Sequence, residues 1–140
     1  MDSKADCVFC RIVKGELPAS IVYEDGEVLA FMDMGQVNPG HVLVTLKEHA
    51  ADVFGLDDAQ SAAVFRAAAR VARAVRDAFQ PDGLALYQAN GTAAGQTVFH
   101  FHLHVLPRSA GDGIQLAWRT SNPPRAKLDD DAARIRTKMG

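Results

Sequence analysis

The chain has 140 residues, 48% of them apolar, and a formal net charge of −2. That size and apolar content fit one globular domain with a substantial core, residues 1–140. Near-neutral charge with no dense lysine or arginine run argues against a nucleic-acid or membrane surface and leaves small anionic ligands open. No apolar stretch approaches the roughly 20 residues of a membrane span, and Met1–Cys10 lacks the basic start and apolar middle of a secretion signal. A cytoplasmic location is the default expectation.

In chain order, the two cysteines come first, at Cys7-Val8-Phe9-Cys10. In a reducing compartment this spacing favours metal binding or thiol redox chemistry over a structural disulfide. Arg11–Gly15 reads as a short helical turn ended by Leu17-Pro18-Ala19. Ile21–Glu24 and Val28–Met32 flank the turn signal Asp25-Gly26 and predict a hairpin. Asn38-Pro39-Gly40 then turns the chain into a third strand, His41–Leu46, which runs into Lys47-Glu48-His49. From Asp57 the period changes. Val64, Ala68, Val71, Val75 and Phe79 recur at helical spacing with Phe65 and Ala72 beside them, and Asp57 with Gln60 resembles a capping box. Pro81-Asp82-Gly83 closes this one long helix, and Leu84–Tyr87 is a fourth strand. Asn90–Gln96 is a glycine-bearing loop before a fifth strand, Val98–Leu106. After Asn122-Pro123-Pro124, Asp129–Lys138 is expected to form a short final helix. Arg66, Arg70 and Arg73 on the long helix read as solvated charge, and Trp118 reads as packing at a surface.

The fifth strand carries the chemistry. It reads Val98-Phe99-His100-Phe101-His102-Leu103-His104-Val105-Leu106, with three of the five histidines at alternate positions. On a strand these three share one face and the intervening apolar residues share the other. Alternate residues are roughly 6.5 Å apart, so the outer two imidazoles are about 13 Å from each other and cannot grip one small ligand atom. Separate roles follow. A neutral imidazole is a competent nucleophile at phosphorus, and the central His102 is the candidate, with its neighbours left to orient it and to bind phosphate oxygens. The loop Asn90–Thr97 suits such a phosphate. Its glycines let backbone N–H groups approach an anion, and Gln96 and Thr97 add side-chain donors. A metal held by all three histidines is a rival. A further route to zinc joins Cys7 and Cys10 to one edge of the triad, with His49 or His41 completing four ligands.

The run Gly95-Gln96-Thr97-Val98 followed by His100–Leu106 resembles the signature of the histidine-triad superfamily of nucleotide hydrolases and transferases. The segments Ile21–Asp25, Leu29–Asp33, Pro39–Val44 and Lys47-Glu48-His49 fall in the same order and spacing, so residues 7–108 form the matching core and 109–140 an extension. The resemblance is greatest to small bacterial members of the nucleotide-binding branch. It implies an α+β fold with a five-stranded antiparallel sheet, one long helix and short terminal helices, the sheet being continued across a homodimer. It implies two displacements at the α-phosphorus of a purine nucleotide conjugate of the phosphoramidate type. His102 forms a nucleotidyl-histidine, and water then releases the nucleoside monophosphate. It assigns His104 and the side chains of Gln96 and Thr97 to the phosphate, and the loop residues Asn90 and Gly95 are expected to bind substrate beside them. Asp33 goes to the ribose hydroxyls, and Val8, Phe9, Ile12, Phe31 and Met32 to the base. Zinc, by resemblance to members and to related uridylyltransferases, would be held structurally by Cys7, Cys10, His49 and His100. That makes His41 a supporting or packing residue.

One departure concerns Ala89, seven residues before Gln96, where eukaryotic members carry a phosphate-contacting amide for which only the neighbouring Asn90 could substitute, which leaves the leaving-group preference open. A dinucleoside polyphosphate hydrolase uses the same intermediate with a nucleotide as leaving group. A non-catalytic nucleotide-binding signalling module is the alternative of another class, and a thiol redox role for the cysteines lacks a preceding strand.

Overall fold

A computed structural model describes residues 6–140; the first five residues of the domain expected over 1–140 lie outside it. Five strands, β1 (Ile21–Glu24), β2 (Val28–Met32), β3 (Val42–Leu46), β4 (Gly83–Tyr87) and β5 (His102–Arg108), form one sheet in the order β1-β2-β3-β5-β4. Every neighbouring pair is antiparallel. The expected α+β architecture is what the chain adopts. The β1–β2 hairpin closes as its turn chemistry dictates, the Asp25 carboxylate accepting from the Glu27 and Val28 N–H groups at 2.8 Å each.

The sheet is covered on both faces. The long helix α2 (Asp58–Phe79) begins at a complete capping box between Asp57 and Gln60. Its inner stripe, Ala63, Val64, Ala67, Ala68, Val71 and Val75, is buried against Val28, Ala30, Val44 and Leu46 of the sheet and against Leu103 and Val105 of β5. Alanines at the contact let helix and sheet approach closely. Phe65 does not share this burial. It is 62% exposed, because it lies one position round the helix from the buried Val64.

The opposite face of the sheet presents Leu29, Phe31 and Leu43 to a short helix α1 (Val8–Val13), which buries Phe9 and Cys10 there. This helix starts earlier than the turn expected at Arg11–Gly15. The Cys7 sulfur accepts from the Cys10 N–H at 3.3 Å, so a cysteine does the work of an N-cap. The final helix α3 (Arg125–Arg136) likewise begins earlier than Asp129, directly after Pro124, where the fixed proline φ suits a helix start. None of its residues is buried. Among the described residues, no helix is long and apolar enough to cross a membrane.

Candidate functional site

The expected strand Val98–Leu106 is shorter at its start: regular pairing begins only at His102. From there alternation holds, with Leu103 and Val105 buried on the α2 side and His102 and His104 half-buried on the α1 side. His100 lies before the strand, and the chain there bends to pair the Phe101 N–H with the Ala50 carbonyl at 2.7 Å. The three histidines therefore do not share one strand face. His100 is fully buried in a corner made by α1 and the segment after β3.

In that corner four donors converge. The Nδ1 of His100 lies 3.3 Å from Cys7 Sγ, 3.5 Å from Cys10 Sγ and 3.2 Å from His49 Nδ1, and His49 Nδ1 is 3.3 Å from Cys10 Sγ. Zinc–sulfur bonds of about 2.3 Å and zinc–nitrogen bonds of about 2.0–2.1 Å place tetrahedral neighbours about 3.3–3.6 Å apart, which these separations approach. The proton arrangement suits a metal as well. His100 Nε2 lies 2.6 Å from the Leu46 carbonyl, which can only accept, so the proton sits on Nε2 and the Nδ1 lone pair is turned to the sulfurs. Burial holds the His100 imidazole down to about 4, which keeps that lone pair available at neutral pH.

Beside this corner opens a cavity of about 580 Å³, within the range of small-ligand pockets. Its apolar wall comes from Val8, Phe9 and Ile12 of α1 and from Phe31, Met32 and Leu43 of the sheet. His102, His104, Asp33, Thr97 and Val98 line it too. Pro18, Ala19, Ser20 and Met34 complete it, and nothing in the sequence pattern marks these four.

His102 has a defined tautomer. Its Nδ1 lies 2.7 Å from the His100 carbonyl oxygen, an obligate acceptor, so Nδ1 carries the proton and Nε2 carries the lone pair. The Phe9 ring packs edge-on at 5.1 Å and His104 lies 5.1 Å away, centroid to centroid. Burial holds His102 below its ordinary value, and it holds His104 down to about 4 with help from the adjacent His102 and His41. Both rings are neutral at pH 7.

Other expected phosphate ligands are turned elsewhere. Gln96 is buried, its Oε1 accepting from the Gly91 N–H at 2.7 Å and its Nε2 donating to the Ala51 and Val98 carbonyls at 2.6 and 3.1 Å. Its side chain braces the loop and does not line the cavity. Asn90 accepts from the Val53 N–H at 2.8 Å and pairs with the Gln88 amide, also away from the cavity. The Gly95 N–H is bonded to the Thr92 carbonyl at 3.0 Å, within a tight turn that Gly95 closes at φ +98°. Such loops must satisfy their own backbone before any ligand arrives, which the residue types alone do not disclose.

The comparisons with known proteins agree with this geometry. Residues 14–111 match the HIT domain. The Bacillus subtilis protein named Protein hit is 45% identical over 121 residues, covering 86% of this chain and 83% of that one. The Arabidopsis thaliana protein named adenylylsulfatase HINT3 is 33% identical over 132 residues, 93% of this chain and 66% of its own. Among solved structures, a HIT-family protein from Bacillus subtilis superposes with a TM-score of 0.93 at 39% identity, covering 96% of this chain and 98% of its own. A zinc-bound histidine triad family protein from Mycobacterium smegmatis superposes with a TM-score of 0.74 at 36% identity, covering 98% and 100%. With the paired histidines on β5, the cavity beneath α1 and these likenesses together, the chain belongs to the HIT-domain family.

Proposed function

We propose that this protein hydrolyses purine nucleotide conjugates of the phosphoramidate type at the α-phosphate, through a nucleotidyl group on His102. The observation that carries the reading is the His102 Nδ1 contact with the His100 carbonyl, which leaves an unprotonated Nε2 on a neutral ring at the cavity. Nε2 attacks phosphorus, the bond to the leaving amine breaks, and the amine departs with a proton taken from solvent. Water then attacks phosphorus, the phosphorus–Nε2 bond breaks, one proton of the water goes to solvent, and the nucleoside monophosphate leaves His102 as it was. His104 and Thr97 take the phosphate oxygens. Asp33 accepts from the ribose hydroxyls, and Val8, Phe9, Ile12, Phe31 and Met32 hold the base. In this reading Gln96, Asn90 and Gly95 support the phosphate-side loop by shaping it.

The same reading includes one structural zinc on Cys7, Cys10, His49 and His100, supported by the donor geometry and by the zinc in the mycobacterial structure. A zinc there would hold α1 and the start of β5 together. It also includes a homodimer. Both sheet edges carry exposed apolar side chains, Ile21 and Val22 on β1 and Leu86 and Tyr87 on β4, and a second copy pairing along either edge would cover that edge's set. A mass in solution of twice 15.1 kDa is the expected result, and a mass of 15.1 kDa refutes the dimer.

A substrate panel tests the activity. Adenosine phosphoramidate, nucleoside monophosphate–lysine conjugates, adenylyl sulfate, diadenosine polyphosphates and nucleotide sugars are compared by kcat/KM. Phosphoramidates are expected to rank first. Diadenosine polyphosphates in that place would make the protein a dinucleoside polyphosphate hydrolase instead. Nucleotide binding without turnover of any member would make it a binding module.

A further inference from the structure

The cavity histidines have a partner that the reaction scheme above does not use. His41, 3% exposed, stands immediately before β3 with its Nε2 2.9 Å from His104 Nδ1 and 3.4 Å from Asp33 Oδ2. Two neutral imidazoles share one hydrogen bond only when one ring donates and the other accepts, so the pair has two possible proton arrangements. The far side of His41 selects between them. The Val37 N–H points at His41 Nδ1 at 3.4 Å, and a ring nitrogen that accepts carries no proton. The proton therefore sits on Nε2 and is donated to His104 Nδ1. Asp33, an acceptor as a carboxylate, lies on the same Nε2 and favours the same arrangement. His104 is left with its own proton on Nε2.

The loop before β3 is constructed to hold this ring. The Gln36 amide donates to the Asp33 and His41 carbonyls at 2.5 and 2.7 Å and accepts from the Gly40 and His41 N–H groups at 3.1 and 3.2 Å. Asn38 ties the turn to β5 through the Pro107 carbonyl at 2.8 Å and to Asp112 at 3.0 Å. Gly40 adopts φ +93°, and a Cβ there would stand 2.8 Å from the Phe79 ring, so the turn requires glycine.

We infer that His41 is a positioning residue, whose Nε2–H fixes His104 in the tautomer that offers Nε2–H to a phosphate oxygen. The inference rests on the proposed phosphate-binding role of His104 and adds what prepares it. Burial keeps both rings neutral, outweighing Asp33 at His41, so the shared proton is not that of an imidazolium. Asp33, His41 and His104 also lie close enough together to suggest a metal site. The hydrogen bonding opposes it: a metal on Nε2 of a neutral His41 requires the proton on Nδ1, where the Val37 N–H already points.

The test is ring nitrogen–proton correlation spectroscopy of the full chain loaded with one zinc, alongside kinetics on the most active substrate of the panel. In the unsubstituted protein His104 is expected as the Nε2–H tautomer. His41→Phe keeps the ring volume and removes the donor. It should let His104 populate Nδ1–H and lower kcat about 10- to 100-fold, the range seen when the partner orienting a metal-bound imidazole is removed, with KM less affected. His41→Gln, whose amide N–H reaches towards the same place, should recover the tautomer and most of the rate. An Nδ1–H tautomer in the unsubstituted protein overturns the inference, as does a His41→Phe variant unchanged in both tautomer and kcat. A second bound zinc that disappears with His41→Phe overturns it too. The tautomer is read without substrate, so it decides on His41 even if the whole panel fails or His41→Phe does not fold. An inert panel overturns only the proposed hydrolysis.

Discussion

His102→Ala is expected to lower kcat on the best substrate about 10⁴-fold or more, the scale seen when a covalent nucleophile is removed. Affinity for a nucleoside monophosphate should change little, because the apolar wall from α1 and the sheet and the Asp33 carboxylate do not depend on that ring. The reason for so large an effect lies in how His102 is prepared for the proposed attack. The His100 carbonyl fixes the proton on Nδ1, and Phe9 packed edge-on against the ring keeps water from that side of it. The lone pair on Nε2 is thus present at neutral pH without a base to generate it. Rapid quenching and mass measurement should detect a nucleotidyl adduct on the unsubstituted chain and none on the variant. Undiminished hydrolysis by His102→Ala would sink the mechanism.

The second large effect concerns the cysteine corner. About one zinc per chain is expected by elemental analysis, and none in the Cys7→Ala, Cys10→Ala double variant. A ligand that binds only the folded state stabilises it by about 4 kcal/mol when present at a thousand times its Kd. Chelation should therefore lower the unfolding midpoint of the unsubstituted protein strongly and leave that of the double variant unmoved. The loss should reach the cavity as well. Cys7 caps α1, α1 supplies Val8, Phe9 and Ile12 to the cavity wall, and His100 supplies the carbonyl that orients His102. KM should rise and kcat should fall together. Full zinc occupancy in the double variant would refute the ligand assignment.

Particular residues mark how far the candidate site was legible from local pattern. The alternation of His102, Leu103, His104 and Val105 requires two faces of opposite character, and the folded chain places the apolar pair under α2 and the histidines under α1. Cys7 and Cys10 at a spacing of three announce a metal corner or a redox pair, and the same pattern extended back over His100 suggests a strand that does not begin there. The bend at His100 arises because the Ala50 carbonyl needs the Phe101 N–H and the Leu46 carbonyl needs the imidazole. Those partners are about fifty residues away in the chain, beyond the reach of any periodicity. Gln96 is a similar case. An amide beside a glycine loop suggests a phosphate donor, whereas the Gly91, Ala51 and Val98 backbone groups engage it first.

By itself, the sequence determined the features that local chemistry dictates: the Asp25-Gly26 hairpin, the capped helix opening at Asp57, the five strands, and the face that His102 and His104 share, on which it also expected His100. Resemblance added the expectation of zinc on Cys7, Cys10, His49 and His100 and of His102 as nucleophile. The tertiary structure alone decided which polar groups are left to act. It turned His100 inward, engaged Gln96 and Asn90 in loop architecture, and placed His41 against His104. The physical reason is that a side chain's pattern sets the face it occupies, while its availability depends on which buried backbone groups need a partner, and those are known only once distant segments meet.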